Sequence, residues 1–212
     1  MSPLELLPKQ DYDGIRTVGI PRALLYYRYH VLWQTFFEEL GCKVITSDPS
    51  DRALLARGEE LSIDECCLAS KLYMGHAESL LDKCDALFVP SVDNLGLHKG
   101  FCTKFQALPD LVTNTFASQN VRIISCEIDK DDTGITAEEG YVSIATKFGL
   151  SKKEGKAAYQ NAIHAQKKHD EELAQAQSDL LKHAEKLPKE ERPLRILIAA
   201  HPYVCLLYTS PS

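Results

Sequence analysis

The sequence predicts an α/β fold, a parallel sheet covered by helices on both faces. Short apolar runs at Thr17–Ile20, Lys43–Ser47, Asp85–Pro90 and Val121–Ile128 alternate with longer stretches whose apolar residues recur at helical spacing. The later runs are apolar without alternation, as strands buried on both faces are. A hydrophobic fraction of 44% with 25% charged residues supplies an ordinary buried core.

Thr17–Ile20 is the first strand, and Pro21 suits the first turn of a helix expected from Arg22 to Leu40. Leu24, Leu25, Val31, Leu32, Phe36 and Leu40 give that helix its apolar face, and Gly41 ends it. After the strand Lys43–Ser47, Asp48-Pro49-Ser50 signals a short helix from Asp51 to Arg57, stopped by Gly58. Glu60–Ile63 is expected to be an extended segment and Glu65–Lys83 a helix. The buried strand Asp85–Pro90 leads into a loop over Ser91–Phe101. Phe105–Phe116 reads as a helix that Pro109 must start or kink. Beyond the strand Val121–Ile128, Thr136 opens a helix with capping-box spacing to Glu139. From Ser151 to Leu187 the chain is a mostly polar helix of about 37 residues, or about 55 Å at about 1.5 Å per residue. Pro188 and Pro193 end it, and Leu194–Ala200 reads as one more buried strand.

Lys and Arg total 24 against 30 Asp and Glu, a net charge of −6. An acidic chain without a basic stripe is a poor ligand for a nucleic acid backbone. No apolar run approaches the ~20 residues that span a bilayer, and the N-terminus lacks the pattern of a signal peptide. A soluble cytoplasmic protein is expected. There is no Gly-x-x-x-x-Gly-Lys loop, no Gly-x-Gly-x-x-Gly and no Gly-x-Ser-x-Gly elbow, so nucleotide-binding and hydrolase readings lack their main support.

Seven cysteines without a secretion signal point to free thiols. Cys42, Cys84 and Cys126 adjoin apolar runs and read as core. Cys66, Cys67 and Cys102 lie in polar, turn-rich segments. The segments Glu65-Cys66-Cys67-Leu68-Ala69-Ser70-Lys71…Gly75-His76 and Phe101-Cys102-Thr103-Lys104-Phe105 each follow a strand, on the rim where α/β sheets place ligands. Each puts a Cys near a helix N-terminus, where the dipole favours thiolate, with a Lys close by. Two such thiolates flanked by cations suit an anionic iron–sulfur cluster; buried cysteines, and a His76 that merely packs or bonds a backbone carbonyl, are the alternative.

Gly19-Ile20-Pro21-Arg22-Ala23-Leu24, then Trp33-x-x-Phe36-Phe37-x-x-Leu40-Gly41, resembles the opening of the 2-hydroxyacyl-CoA dehydratase subunit superfamily. More narrowly, it is similar to the 2-hydroxyglutaryl-CoA dehydratase D-component-like branch, found alone or fused to the ATP-dependent activase of those enzymes. Cys67-Leu68-Ala69-Ser70-Lys71…Gly75-His76 and Cys102-Thr103-Lys104-Phe105…Leu108-Pro109-Asp110 match the family's two cysteine elements. Ala200-His201-Pro202-Tyr203 resembles the opening of its second lobe.

The resemblance implies a flavodoxin- or Rossmann-like lobe and a [4Fe–4S] cluster with Cys67 and Cys102 as two ligands. Lys71 and Lys104 would neutralise the cluster or hold anionic substrate groups, and Lys71 and His76 would serve catalysis, His76 by positioning or protonation. In this family the cluster takes one electron from an ATP-driven activase and passes it to an acyl-CoA, so that water can leave. Related proteins instead reduce small substrates at low potential. The implied partners are the activase, an acyl-CoA, and a second dehydratase-like subunit or a second copy of the chain. Ala69 and Thr103 depart from the prolines that shape the family's ligand loops, and Cys66 competes with Cys67. The expected division is an extension over 1–16, the cluster lobe over 17–150, the connecting helix over 151–188 and the first strand of a truncated second lobe over 189–204. Residues 205–212, with Cys205, read as a non-native, adapter-like tail. A non-catalytic docking module of the activase system and a metal-free flavodoxin-like domain are the rival readings.

Overall fold

A computed structural model describes residues 12–95 and 100–196. Strand β1 (Thr17–Ile20) leads to helix α1 (Tyr26–Glu39), and β2 (Lys43–Thr46) to α2 (Arg52–Glu60) and α3 (Leu68–Glu78). Then come β3 (Ala86–Phe88), β4 (Ser91–Asn94), α4 (Thr103–Gln106), α5 (Leu108–Thr115), β5 (Ile123–Ile124) and β6 (Glu127–Asp129). Helices α6 (Ala137–Lys147) and α7 (Lys152–Lys186) complete the regular structure that positions the site.

The fold is α/β, as expected. β2, β1, β3 and β5 form a parallel sheet in that order, and β4 pairs with β6, also in parallel. Backbone N–H groups of Leu87, Val89 and Ser91 donate to the carbonyls of Arg122, Ile124 and Cys126, so one ladder runs through both pairs. The alternate N–H groups face β1. Pro90 removes the next in that series, and pairing with β1 stops there.

The core is aromatic. Phe36, Phe37 and Phe88 are fully buried, and the Trp33 indole N–H donates to the Tyr141 hydroxyl at 2.7 Å. Helices α1, α6 and α7 pack together as one group, and α2 with α3 as another. Helix α7 buries Ala158, Tyr159, Ala162 and Gln166, whose side-chain oxygen accepts from the Leu32 N–H at 3.0 Å. From Glu171 to Lys186 the same helix buries only Ala184, although Leu173, Leu180 and Leu181 continue its apolar stripe. The expected N-terminal capping box of Thr136 with Glu139 is present, and Ser151 forms a second one with Glu154.

Several elements differ from the sequence reading. α1 starts at Tyr26, because Pro21–Leu25 form a turn in which the Arg22 N–H donates to Ser47 Oγ at 2.9 Å and Leu24 is left-handed (φ 53°). α2 runs through Gly58 to Glu60, so Glu60–Ile63 is a helix end and turn rather than an extended segment. Ser91–Asn94 is a strand, with Val92 and Asn94 buried, and not the start of a loop. The helix expected over Phe105–Phe116 starts earlier and breaks at Ala107, with Pro109 in the first turn of α5. Leu194 and Ile196, expected in a buried strand, are exposed and outside any strand. Residues 197–200, the His201-Pro202-Tyr203 motif and Cys205 lie outside the described residues.

Candidate functional site

The strand order reverses at β1, whose neighbours β2 and β3 are reached by crossovers in opposite directions. Open α/β sheets bind ligands in the crevice at the carboxyl ends of such strands. The predicted residues cluster at that edge.

Cys67 is the N-cap of α3 in extended conformation, and its thiol is exposed. Its Sγ lies 3.3 Å from Ser70 Oγ. Partial burial pushes the Cys67 thiol up, but the Ser70 hydroxyl and N–H, the charge of Lys104 and the Ala69 N–H together hold it below the ordinary thiol value. Cys102 is the exposed N-cap of α4, again extended, and its carbonyl accepts from Phe105 N–H at 2.8 Å. Cys66 lies in the turn before α3, partly buried, with its N–H on the Ile63 carbonyl.

Two observations join these segments. Lys104, two residues after Cys102, acts on the Cys67 thiol through its charge. Tyr73 of α3 and Phe105 of α4 line one apolar seam with Pro21, Leu24, Phe88 and Pro90, at the ends of β1 and β3. Both cysteine-bearing helices therefore start beside the same strand ends. The seam itself is close-packed, with about 10 Å³ free.

His76 sits in the last turn of α3 and is fully buried. Its Nδ1 is 2.8 Å from Ser47 Oγ and its Nε2 is 2.9 Å from Ser50 Oγ. Burial, with the nearby charge of Arg22, lowers its pKa to about 4, so the ring is neutral at pH 7. This arrangement clamps the loop after β2 to α3. Lys71 and Lys104 are partly buried. The Lys71 carbonyl packs on Gly58, a close approach of α2 to α3 that only glycine permits; Gly75 meets the Leu54 carbonyl in the same way. The Arg57 guanidinium reinforces the crossing by pairing with Glu78.

Sequence reasoning assigned no role to Ser47, Ser50 and Ser70, which read as a strand end, part of a helix-start signal and an unremarked residue of the first cysteine element. It also missed the carboxylates of Asp93, Asp129 and Asp132, which lie within 4.8 Å of one another near the ends of β4 and β6. Asp129 accepts from Asn94 Nδ2 at 2.5 Å and from Asp132 N–H at 3.1 Å, so the cluster is bound into the fold. A cleft of about 460 Å³ opens at the opposite edge of the sheet, between Glu78, Asp82, Cys84 and Arg122. It contains none of the predicted residues, and it lies away from the carboxyl ends where such sheets bind ligands.

A family model described as the CoA enzyme activase uncharacterised domain matches residues 17–208. The chain belongs to this family. Its match takes in β1, both cysteine segments and α7, and it includes residues 205–208 of the expected tail. No curated protein matches the chain significantly. Membership of the activase domain family fits the activase-related part of the resemblance. Among the described residues, no helix is long and apolar enough to cross a membrane.

Proposed function

We propose that the chain is the cluster-holding lobe of an iron–sulfur protein of the 2-hydroxyacyl-CoA dehydratase type, working with an ATP-dependent activase on an acyl-CoA. The carrying observation is the pair of exposed cysteines at the N-caps of α3 and α4, with Lys104 lowering the Cys67 thiol. Thiolates are the ligands of iron–sulfur clusters, and the lowering of the Cys67 thiol below its ordinary value favours that form. The donor set fits such a group in softness, exposure and charge.

Cys67 and Cys102 would hold a [4Fe–4S] cluster, which supplies one-electron transfer at low potential. Lys104, and Lys71 in the second turn of α3, offset its negative charge or that of the substrate. Neutral His76 keeps the loop after β2 in place and so positions the edge on which the substrate lies. Reduction of a small substrate at low potential rests on the same ligands.

Anaerobic reconstitution with iron and sulfide tests the reading. A brown, oxygen-bleached product, with iron lost from both Cys67→Ala and Cys102→Ala, is expected. Iron content unchanged in these variants sinks the ligand assignment. A colourless wild-type product leaves a metal-free docking module of the activase system, a reading that the family match alone also supports.

A further inference from the structure

We propose that Arg22 is an anion-binding residue at the carboxyl edge of the sheet, taking a carboxylate or phosphate oxyanion through its guanidinium. Arg22 is the second residue after β1, at the point where the strand order reverses. Its backbone is fixed there. The Arg22 N–H donates to Ser47 Oγ, the Ala23 N–H returns to the Pro21 carbonyl at 2.9 Å, and left-handed Leu24 closes the turn. A bulky residue adopts that conformation only where its surroundings over-determine it, and such positions gather at functional sites.

The side chain, by contrast, is held by little. Nε is buried without a hydrogen-bond partner, and among the described residues no carboxylate pairs with the guanidinium. Its contact is the Tyr26 ring, 5.7 Å from Cζ. Nearby acids are engaged elsewhere: Asp51 caps α2 through Leu54 N–H, and Asp170 pairs with Arg28 and accepts from Gln166. The two neighbouring histidines supply no negative charge. Burial and the Arg22 charge lower both His30 and His76, with His169 also acting on His30. A cation that pairs with no carboxylate among the described residues, and that carries an unsatisfied donor, gains most from an external oxyanion. Guanidinium pairs two of its N–H groups with two oxygens of either ligand, carboxylate or phosphate.

The inference goes beyond the cluster reading and is tested without iron. The full chain, free of iron, is titrated at pH 7 with inorganic phosphate and, separately, with acetate. The Arg22 Nε–H resonance and the His76 ring are followed by NMR. A saturable shift of Arg22 is expected, with the His76 pKa rising as the bound anion cancels the Arg22 charge. Arg22→Gln should weaken binding by about tenfold or more, and Arg22→Lys, which keeps the charge but not the fork, by less. Trp33 fluorescence reports that both variants remain folded. A response to phosphate alone assigns a phosphate site, and a response to acetate as well assigns a general oxyanion site. An unmoved Arg22 resonance, or a folded Arg22→Gln variant that binds like the wild type, overturns the proposal.

Discussion

Gly58 in α2 packs against the carbonyl oxygen of Lys71 in α3, so closely that a Cβ at Gly58 would overlap it. Alanine at this helical position would gain about 1 kcal/mol of helix propensity. The clash outweighs that gain, because overpacking costs typically about 1–3 kcal/mol. Gly58→Ala and Gly75→Ala should therefore each lower stability, the reverse of what propensity dictates, and a urea titration measures the sign. Because Lys71 lies in the second turn after Cys67, both variants should also alter how fast Cys67 reacts.

His76 makes the fold sensitive to acid. Burial lowers its pKa from 6.5 to about 4 in the folded chain. The unfolded chain thus binds the proton more readily between these values. The stabilisation is complete above pH 6.5 and is lost progressively as pH falls toward 4, by roughly 3 kcal/mol in all. Urea midpoints measured across that range should fall steeply for the wild type and less for His76→Gln.

The thiols should separate by reactivity. Cys67, exposed and lowered, is expected to be alkylated by iodoacetamide at neutral pH. Cys84, partly buried and pushed up by burial to about 11, should react far more slowly than Cys67, and buried Cys126, pushed up by burial to about 12, should stay unmodified until the protein unfolds. Lys104→Gln and Ser70→Ala should each slow the Cys67 reaction, as mass spectrometry of timed samples would show. Equal rates in wild type and Lys104→Gln would separate the two cysteine segments.

Trp33 is the single tryptophan. Tyr141→Phe leaves its buried indole N–H without the phenol it now bonds at 2.7 Å. A loss of about 1–3 kcal/mol follows from the orphaned donor. A shift in the native emission of Trp33 should accompany it.

Much of the fold was legible because parallel strands and amphipathic helices write their periods into the sequence. β1 was read to the residue, and α7 to within a residue at each end, since a long run of polar helix formers is closed by Pro188. What escaped depends on contacts between distant segments. Gly58 reads as a stop signal, yet it is a crossing point imposed by Lys71, thirteen positions later. Arg22 reads as the start of the first helix, yet Ser47 draws its N–H into a turn ahead of it. Ser91–Asn94 has too little apolar character to announce a strand, and β6 supplies the ladder that makes it one. At the site, the cysteine segments stood out by composition, whereas the serines around His76 and Cys67 carry no local signature.

Helix α7 is anchored at one end. Gln166, and Asp170 through Arg28, fix its first half to α1, and the stretch from Glu171 to Lys186 extends about 24 Å further at about 1.5 Å per residue. That makes it a lever whose fulcrum lies at Gln166. A change in tilt too small to disturb the core is multiplied along the arm. Substitutions at Gln166 or Asp170 should therefore alter the tilt of this arm, while the sheet and the exposed thiols at the N-caps of α3 and α4 stay where they are.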